Sequence, residues 1–175
     1  MEEYVDILND NGKETGEIIT KKEAHKTGKW HRAVHIWIIS EDKRKILLQK
    51  RCPDKNLFPN MWDISVGGHV CSGEETLISA KRELSEELGL NPRDYKFEYV
   101  NVIKEKFADG DIVSNEFVTI YKIISDVDID DIVLQKEEVS EARWFTKDEL
   151  NSLREEEKVI PHIEEFSMIY NILGD

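Results

Sequence analysis

Gly68-His69-Val70-Cys71-Ser72-Gly73-Glu74-Glu75-Thr76-Leu77-Ile78-Ser79-Ala80-Lys81-Arg82-Glu83-Leu84-Ser85-Glu86-Glu87-Leu88-Gly89-Leu90 is the stretch that decides the fold. From Glu74 to Leu88 its pattern predicts a helix. Gly89 is the expected stop, because glycine readily takes the left-handed conformation that ends helices. Leu77, Ala80, Leu84 and Leu88 form an apolar stripe suited to packing on a sheet. Glu83, Glu86 and Glu87 stand at i, i+3 and i+4, so their carboxylates share another face. Like charges at that spacing cost an isolated helix roughly a few tenths of a kcal/mol per pair. Hard cations between them would offset that cost, and oxygen ligands of this kind suit Mg²⁺ or Mn²⁺. A solvated face of an acidic helix has the same composition, so the three glutamates alone leave both readings open.

Upstream, Tyr4 to Leu8 alternates like a strand and runs into an Asn11-Gly12 hairpin turn before Glu17-Ile18-Ile19. Lys21 to Lys26 predicts a short helix stopped by Gly28. Two apolar, β-branched runs, Arg32 to Ile39 and Lys45 to Gln49, predict an antiparallel core pair. Trp62 to Val66 predicts another strand, ended by Gly67-Gly68. Downstream, two strands flank the turn Ala108 to Asp111, the second covering Glu116 to Ile124. Ala142 to Phe145 predicts a strand leading into a helix over Thr146 to Arg154, with Thr146 as N-cap and Glu149 closing a capping box. A last helix is expected from Pro161 to Leu173, opening on a proline that first turns tolerate. Strands and helices mixed in this way predict an α/β fold in which a sheet packs between helices. No repeat, low-complexity tract or Pro/Gly-rich linker divides the chain, so residues 1–175 are expected to form one domain.

The 175 residues, 39% hydrophobic and 35% charged, have the composition of an ordinary soluble globular protein. A formal net charge of −13 argues against nucleic acid as the main partner, since phosphate backbones repel an acidic surface. A small phosphorylated substrate stays admissible if divalent cations and local basic residues neutralise the site. No apolar run reaches the length of a bilayer, and Met1-Glu2-Glu3-Tyr4 lacks the regions of a signal peptide, so no membrane partner is expected. Cys52 and Cys71 are the only cysteines, which reads as reduced thiols in a cytoplasmic protein. A homodimer is left open.

Gly68, five residues, Glu74, seven residues, Arg82-Glu83-Leu84, one residue, Glu86-Glu87, one residue and Gly89-Leu90 match the Nudix box at every defined position. At average residue frequencies, a chance match at a given start is on the order of one in 10⁹. The chain therefore resembles the Nudix hydrolase family, whose members hydrolyse a nucleoside diphosphate linked to another moiety, using Mg²⁺ or Mn²⁺. The resemblance implies a Nudix-type α/β/α sandwich with a mixed central sheet, a box spanning residues 68–90, and a small organic diphosphate as substrate. It implies Glu83 and Glu87 as metal ligands, with Glu86 beside them and the Gly67 carbonyl completing the site. Arg82 would hold the glutamates through charge-assisted hydrogen bonds, and Glu74 would brace the loop. The mechanism implied is metal-assisted attack of water on phosphorus, with Glu86 or Glu116 as general base.

A narrower resemblance runs through Ala24-His25, His31-Arg32-Ala33, Leu47 to Arg51, Lys55, Trp62-Asp63 and Gly68-His69, which look like isopentenyl diphosphate isomerase, a branch of the same superfamily. In that enzyme histidines and glutamates bind a metal, and a cysteine just before the Gly-His pair works as acid/base. Here Gly67 stands at the cysteine position, and Ser114-Asn115-Glu116 keeps one of two expected glutamates. Both departures, with a complete box, point to an isomerase-like hydrolase and away from isomerisation. By the same resemblance, Arg51 and Lys55 are expected to grip the diphosphate. Trp62 is expected to stack on the organic group, although a tryptophan at a strand start also serves as core. His25, His31 and His69 are expected as surface or structural residues, with a second metal site as the alternative. His35 is expected in the core or across a strand pair, and Cys71 as filler beside the loop.

Overall fold

The computed structural model describes residues 1–174. An N-terminal hairpin, β1 (Tyr4–Leu8) and β2 (Glu14–Thr20), leads into α1 (Lys21–Thr27). The Thr20 side chain caps α1 at its start, and Gly28, left-handed at φ 68°, ends it. The main sheet contains β3 (His31–Ile39), β4 (Lys45–Arg51), β5 (Trp62–Asp63), β6 (Val66–His69), β7 (Glu98–Asp109), β8 (Ile112–Ile124) and β9 (Val139–Thr146). Its order is β5-β4-β3-β8-β7, with β6 also pairing β3 and β9 pairing β4. β3 and β8 run parallel while the other pairs are antiparallel, which makes the sheet mixed.

The side-chain alternation of β3 sets the layers. Val34, Ile36 and Ile38 face one side, where α2 (Thr76–Leu88) lays Ala80, Leu84 and Leu88 against them. Leu84 and Leu88 are fully buried, worth roughly 1.5–3 kcal/mol each in removed apolar surface. Ala33, Trp37 and Ile39 face the other side, against α3 (Lys147–Glu155) and α4 (Ile163–Ile172), which supply Leu150, Leu153, Phe166 and Ile169. Burial on both faces explains why β3 reads as a continuous apolar run rather than an alternating one. The result is the expected α/β/α sandwich. Among the described residues, no helix is long and apolar enough to cross a membrane.

The capping box of α3 forms as expected, Thr146 and Glu149 each accepting from the other's backbone N–H. Other expectations are corrected. The box helix starts at Thr76, not Glu74, because the Glu74 N–H bonds back to the Cys71 carbonyl in a turn and its carboxylate reaches Ser79 and Arg82. Leu77, placed in the apolar stripe, is exposed. The expected strand Trp62 to Val66 breaks in two. β5 pairs with β4, the chain steps across at Ile64-Ser65, and β6 pairs with β3. Gly67 and Gly68 therefore lie inside β6 instead of ending a strand. The expected core pair of β3 and β4 also holds only at Ile38↔Leu47 and Ile39↔Ile46. Beyond that point the two strands splay, and β6 takes the place beside β3. The last helix begins at Ile163, after Pro161 and His162.

Candidate active site and metal-ligating residues

The acidic face of α2 is not a solvated one. Glu83 and Glu87 are only 7% and 6% exposed, while the Glu86 side chain is half exposed. Glu87 Oε2 accepts from the Gln49 amide at 2.7 Å and the Gly67 N–H at 3.3 Å. Glu83 approaches β6 so closely that a Cβ on Gly68 would overlap its carboxyl group, which is why glycine stands there. Arg82 gathers the acids: it donates to Glu83 at 2.7 Å, to Glu86 at 3.3 Å, to Glu74 at 3.1 Å, and to the His69 carbonyl at 3.1 Å.

Burial pushes the Glu83 carboxyl up to about 7 against the pull of Arg82. Burial and the neighbouring Glu83 lift Glu87 to about 8, despite the hydrogen bonds from Gln49 and Gly67. Two desolvated carboxylates, of which only Glu83 is paired with an arginine, make an under-neutralised site. Such a donor set of hard oxygens fits a small divalent cation.

A second set of ligand atoms lies on the opposite face of the sheet. His25 from α1, His31 from β3, His69 from β6 and Glu116 from β8 converge, with one donor atom of each within 4.8 Å of the others. Glu116 Oε1 is 3.0 Å from His69 Nε2, 3.4 Å from His31 Nε2 and 3.7 Å from His25 Nε2. His31 Nδ1 faces the Lys29 carbonyl at 3.0 Å, which fixes its hydrogen there and turns the Nε2 lone pair inward. The buried Nε2 atoms of His25 and His31 have no hydrogen-bond partner. Burial pushes the His69 imidazole below its ordinary value, toward the neutral form that ligates metals. Burial would raise Glu116, but the imidazoles around it hold it well below the usual carboxylate range. Three imidazole nitrogens around one carboxylate, two of them without a hydrogen-bond partner, fit a cation at the centre. Three distant segments bring the three histidines to one point, an arrangement that suits a structural cluster or the alternative second metal site. Glu116, one of the two candidates for general base, accepts from the Ser114 hydroxyl at 2.7 Å and lies 3.0 Å from His69 Nε2.

The three substrate residues read from the sequence are otherwise engaged. Arg51 donates to the Leu57 carbonyl at 2.8 and 3.1 Å and lies 3.4 Å from Asp63. Lys55 pairs with Glu138. Trp62 packs edge-on against Phe145 in the core and is 8% exposed, which leaves little ring to stack on a ligand. Glu105, His162 and Glu165 carry no expectation from the sequence, and Gln49 and Asp63 are assigned no role there. Gln49 is the buried polar end of the apolar run Ile46-Leu47-Leu48, and Glu165 interrupts the buried stripe of α4 beside Phe166 and Ile169. A charged or amide residue inside an apolar pattern is the signal that could have found them. His35 is buried as expected, but it hydrogen-bonds Glu165 at 2.5 Å.

Residues 29–166 match the NUDIX domain family. The chain is 39% identical over 166 residues to an uncharacterized Nudix hydrolase of Listeria monocytogenes, covering 93% of this chain and 90% of that one. It is 38% identical over 168 residues to Nudix hydrolase 3 of Arabidopsis thaliana, covering 92% of this chain but spanning only 22% of that protein's length. A shorter match, 38% over 84 residues and 48% of this chain, reaches the isopentenyl-diphosphate Delta-isomerase of Pectobacterium atrosepticum. The crystal structure of DR0079 from Deinococcus radiodurans superposes with a TM-score of 0.73 at 21% identity, over 97% of this chain and 99% of that one.

Proposed function

Because the chain belongs to the Nudix family and is a Nudix-type, diphosphate-cleaving hydrolase, we propose that it splits a nucleoside diphosphate derivative or a similar small organic diphosphate with Mg²⁺ or Mn²⁺. The observation that carries this reading is the pair Glu83 and Glu87, buried and desolvated beside Gly67. Glu83 and Glu87 would hold the cation, with Glu86 and the Gly67 carbonyl completing its shell. His25, His31, His69 and Glu116 would hold a second one. Bound cations supply Lewis-acid polarisation of the phosphoryl oxygens and a more acidic water.

The chain's own residues do the rest. Arg82 aims Glu83 and Glu86 by donating to both, and Gln49 holds Oε2 of Glu87. Glu86, half exposed, is the general base in this reading, because Glu116 is committed to its histidines. Lys55 feels the charge of Glu87 and reaches the diphosphate by exchanging Glu138 for it; Arg51 shapes the loop between them. Isomerisation is disfavoured: Gly67 offers no thiol, and Ser114 in place of a carboxylate only donates to Glu116. Residues 1–175 act as one catalytic unit, and two free thiols suit a reducing, cytoplasmic setting.

The test is a panel of nucleotide sugars, dinucleoside polyphosphates, nucleoside triphosphates and isoprenoid diphosphates, assayed after chelation and again with Mg²⁺ or Mn²⁺. Metal-dependent cleavage of at least one compound is the expected outcome. Turnover that is indifferent to chelation, or no cleavage across the panel, overturns the reading.

A further inference from the structure

The face of the sheet that α3 and α4 cover carries another imidazole–carboxylate group, apart from the box glutamates and from the cluster around Glu116. His35 comes from β3 and Glu105 from β7, while His162 stands at the N-cap of α4 and Glu165 in its first turn. One donor atom of each lies within 4.8 Å of the others. His35, His162 and Glu165 are buried, and Glu105 is half-buried. Alternation along β3 turns His35 to the same side as Ala33 and Trp37, toward α4. Within α4 the spacing i, i+3 brings His162 and Glu165 together.

Ordinary ion pairing leaves this arrangement over-supplied with acceptors. His162 Nε2 is taken by Asp63 at 2.7 Å. Its one remaining nitrogen, Nδ1, faces both oxygens of Glu105 at 3.0 and 2.9 Å and Glu165 Oε1 at 3.8 Å. A single hydrogen cannot bond three oxygens in good geometry, whereas one metal ion takes a nitrogen and several oxygens at once. His35 Nδ1 meets the same Glu165 oxygen at 2.5 Å, so both Nδ1 atoms close on it. The outer partners are those that metal ligands usually have: Asp63 orients His162 by its far nitrogen, and the Trp37 indole holds the other oxygen of Glu165 at 2.7 Å. In the metal-free chain the carboxylates lift both rings toward the protonated form. A dication entering in place of two protons would leave the charge of the group unchanged.

We propose that His35, Glu105, His162 and Glu165 form a binding site for a first-row transition-metal ion of the Zn²⁺ class. Two imidazoles beside two carboxylates favour such an ion over Mg²⁺, which prefers oxygen ligands and keeps several waters. Four protein ligands leave no open position, which is the pattern of a structural site rather than a catalytic one. The ion would pin the start of α4 to β3 and β7. The inference is independent of the diphosphate reading.

The test uses Co²⁺, a coloured stand-in for Zn²⁺, titrated into the full chain in a mildly alkaline buffer with excess Mg²⁺. Glu87→Gln and His31→Gln together disable the two cation sites proposed above. The chain carrying both should still bind about one equivalent of Co²⁺, read by its visible absorption and by the metal retained on gel filtration. Zn²⁺ should displace it and Mg²⁺ should not. Adding Glu105→Gln, at a half-buried position on an edge strand, should weaken that binding by at least about a hundredfold, the upper end of what a merely supporting residue costs. In the otherwise unaltered chain, Glu105→Gln alone should remove one equivalent from the total, which keeps the result readable if the doubly altered chain does not fold. No Co²⁺ retained by the doubly altered, folded chain, or retention indifferent to Glu105→Gln, overturns the proposal. Either result leaves the hydrolase reading intact.

Discussion

Glu87 is where the residue-scale account is most exposed to test. It sits between Gln49 and Gly67 with its charge unmatched, and it is fully committed to the site. Glu87→Gln retains the shape and the hydrogen bonds but removes the charge. It should lower kcat/KM by at least about two to three orders of magnitude, the scale of losing a major electrostatic contribution. Steady-state assays at saturating Mg²⁺ check this, and near-normal turnover would remove Glu87 from the ligand set. The box glutamates were legible because a fixed spacing on one helix puts them together by local geometry alone. The histidine cluster was not, because His25, His31, His69 and Glu116 belong to four elements, and only the β3–β6 and β3–β8 pairings bring them to one point. Single histidines scattered along a chain carry no sign of which will meet.

Elements position these residues by close approach, and glycines mark where it happens. β6 runs so near α2 that Gly68 has no room for a Cβ beside the Glu83 carboxyl. Gly68→Ala should therefore displace Glu83, weakening Mn²⁺ binding and activity by at least about tenfold while the far-ultraviolet circular dichroism stays native. Gly89 ends α2 at φ 66°, and a Cβ there would meet Val133 Cβ at 2.8 Å. Gly89→Ala should cost about 1–3 kcal/mol, the range for a side chain forced into the left-handed region, readable as a lowered urea midpoint. The helix, its stop and the α3 capping box could be read from short-range pattern. The break between β5 and β6 could not. It depends on Ser65, whose hydroxyl donates to the Leu47 carbonyl and accepts from the Ile38 N–H, bonding across the gap where β3 and β4 part. That is a tertiary contact with no local signature.

Across the whole molecule, a net charge of −13 surrounds two buried acidic centres, so stability should depend on pH and on cations together. Glu83 and Glu87, raised to about 7 and about 8 without metal, stabilise the fold below the ordinary carboxylate range and lose that contribution as pH rises through those values. His35, raised to about 9, contributes stability that is present below about 6.5 and lost as pH rises through 9. Both effects have the same sign. The melting temperature of the metal-free chain should fall between pH 6.5 and 9, with Mg²⁺ restoring the glutamate share. His35→Asn should reduce what remains, the raised His162 keeping its own share. A melting temperature that climbs over this range would contradict the charge assignments. The central claim, that water attacks a diphosphate phosphorus at the box, is tested most directly by running the reaction of a cleaved diphosphate in ¹⁸O-labelled water. The account predicts one label in a single phosphoryl product, dependent on Mg²⁺ or Mn²⁺ and lost in Glu87→Gln. Unlabelled phosphoryl products, or conversion of isopentenyl diphosphate to its isomer with the diphosphate intact, would contradict it.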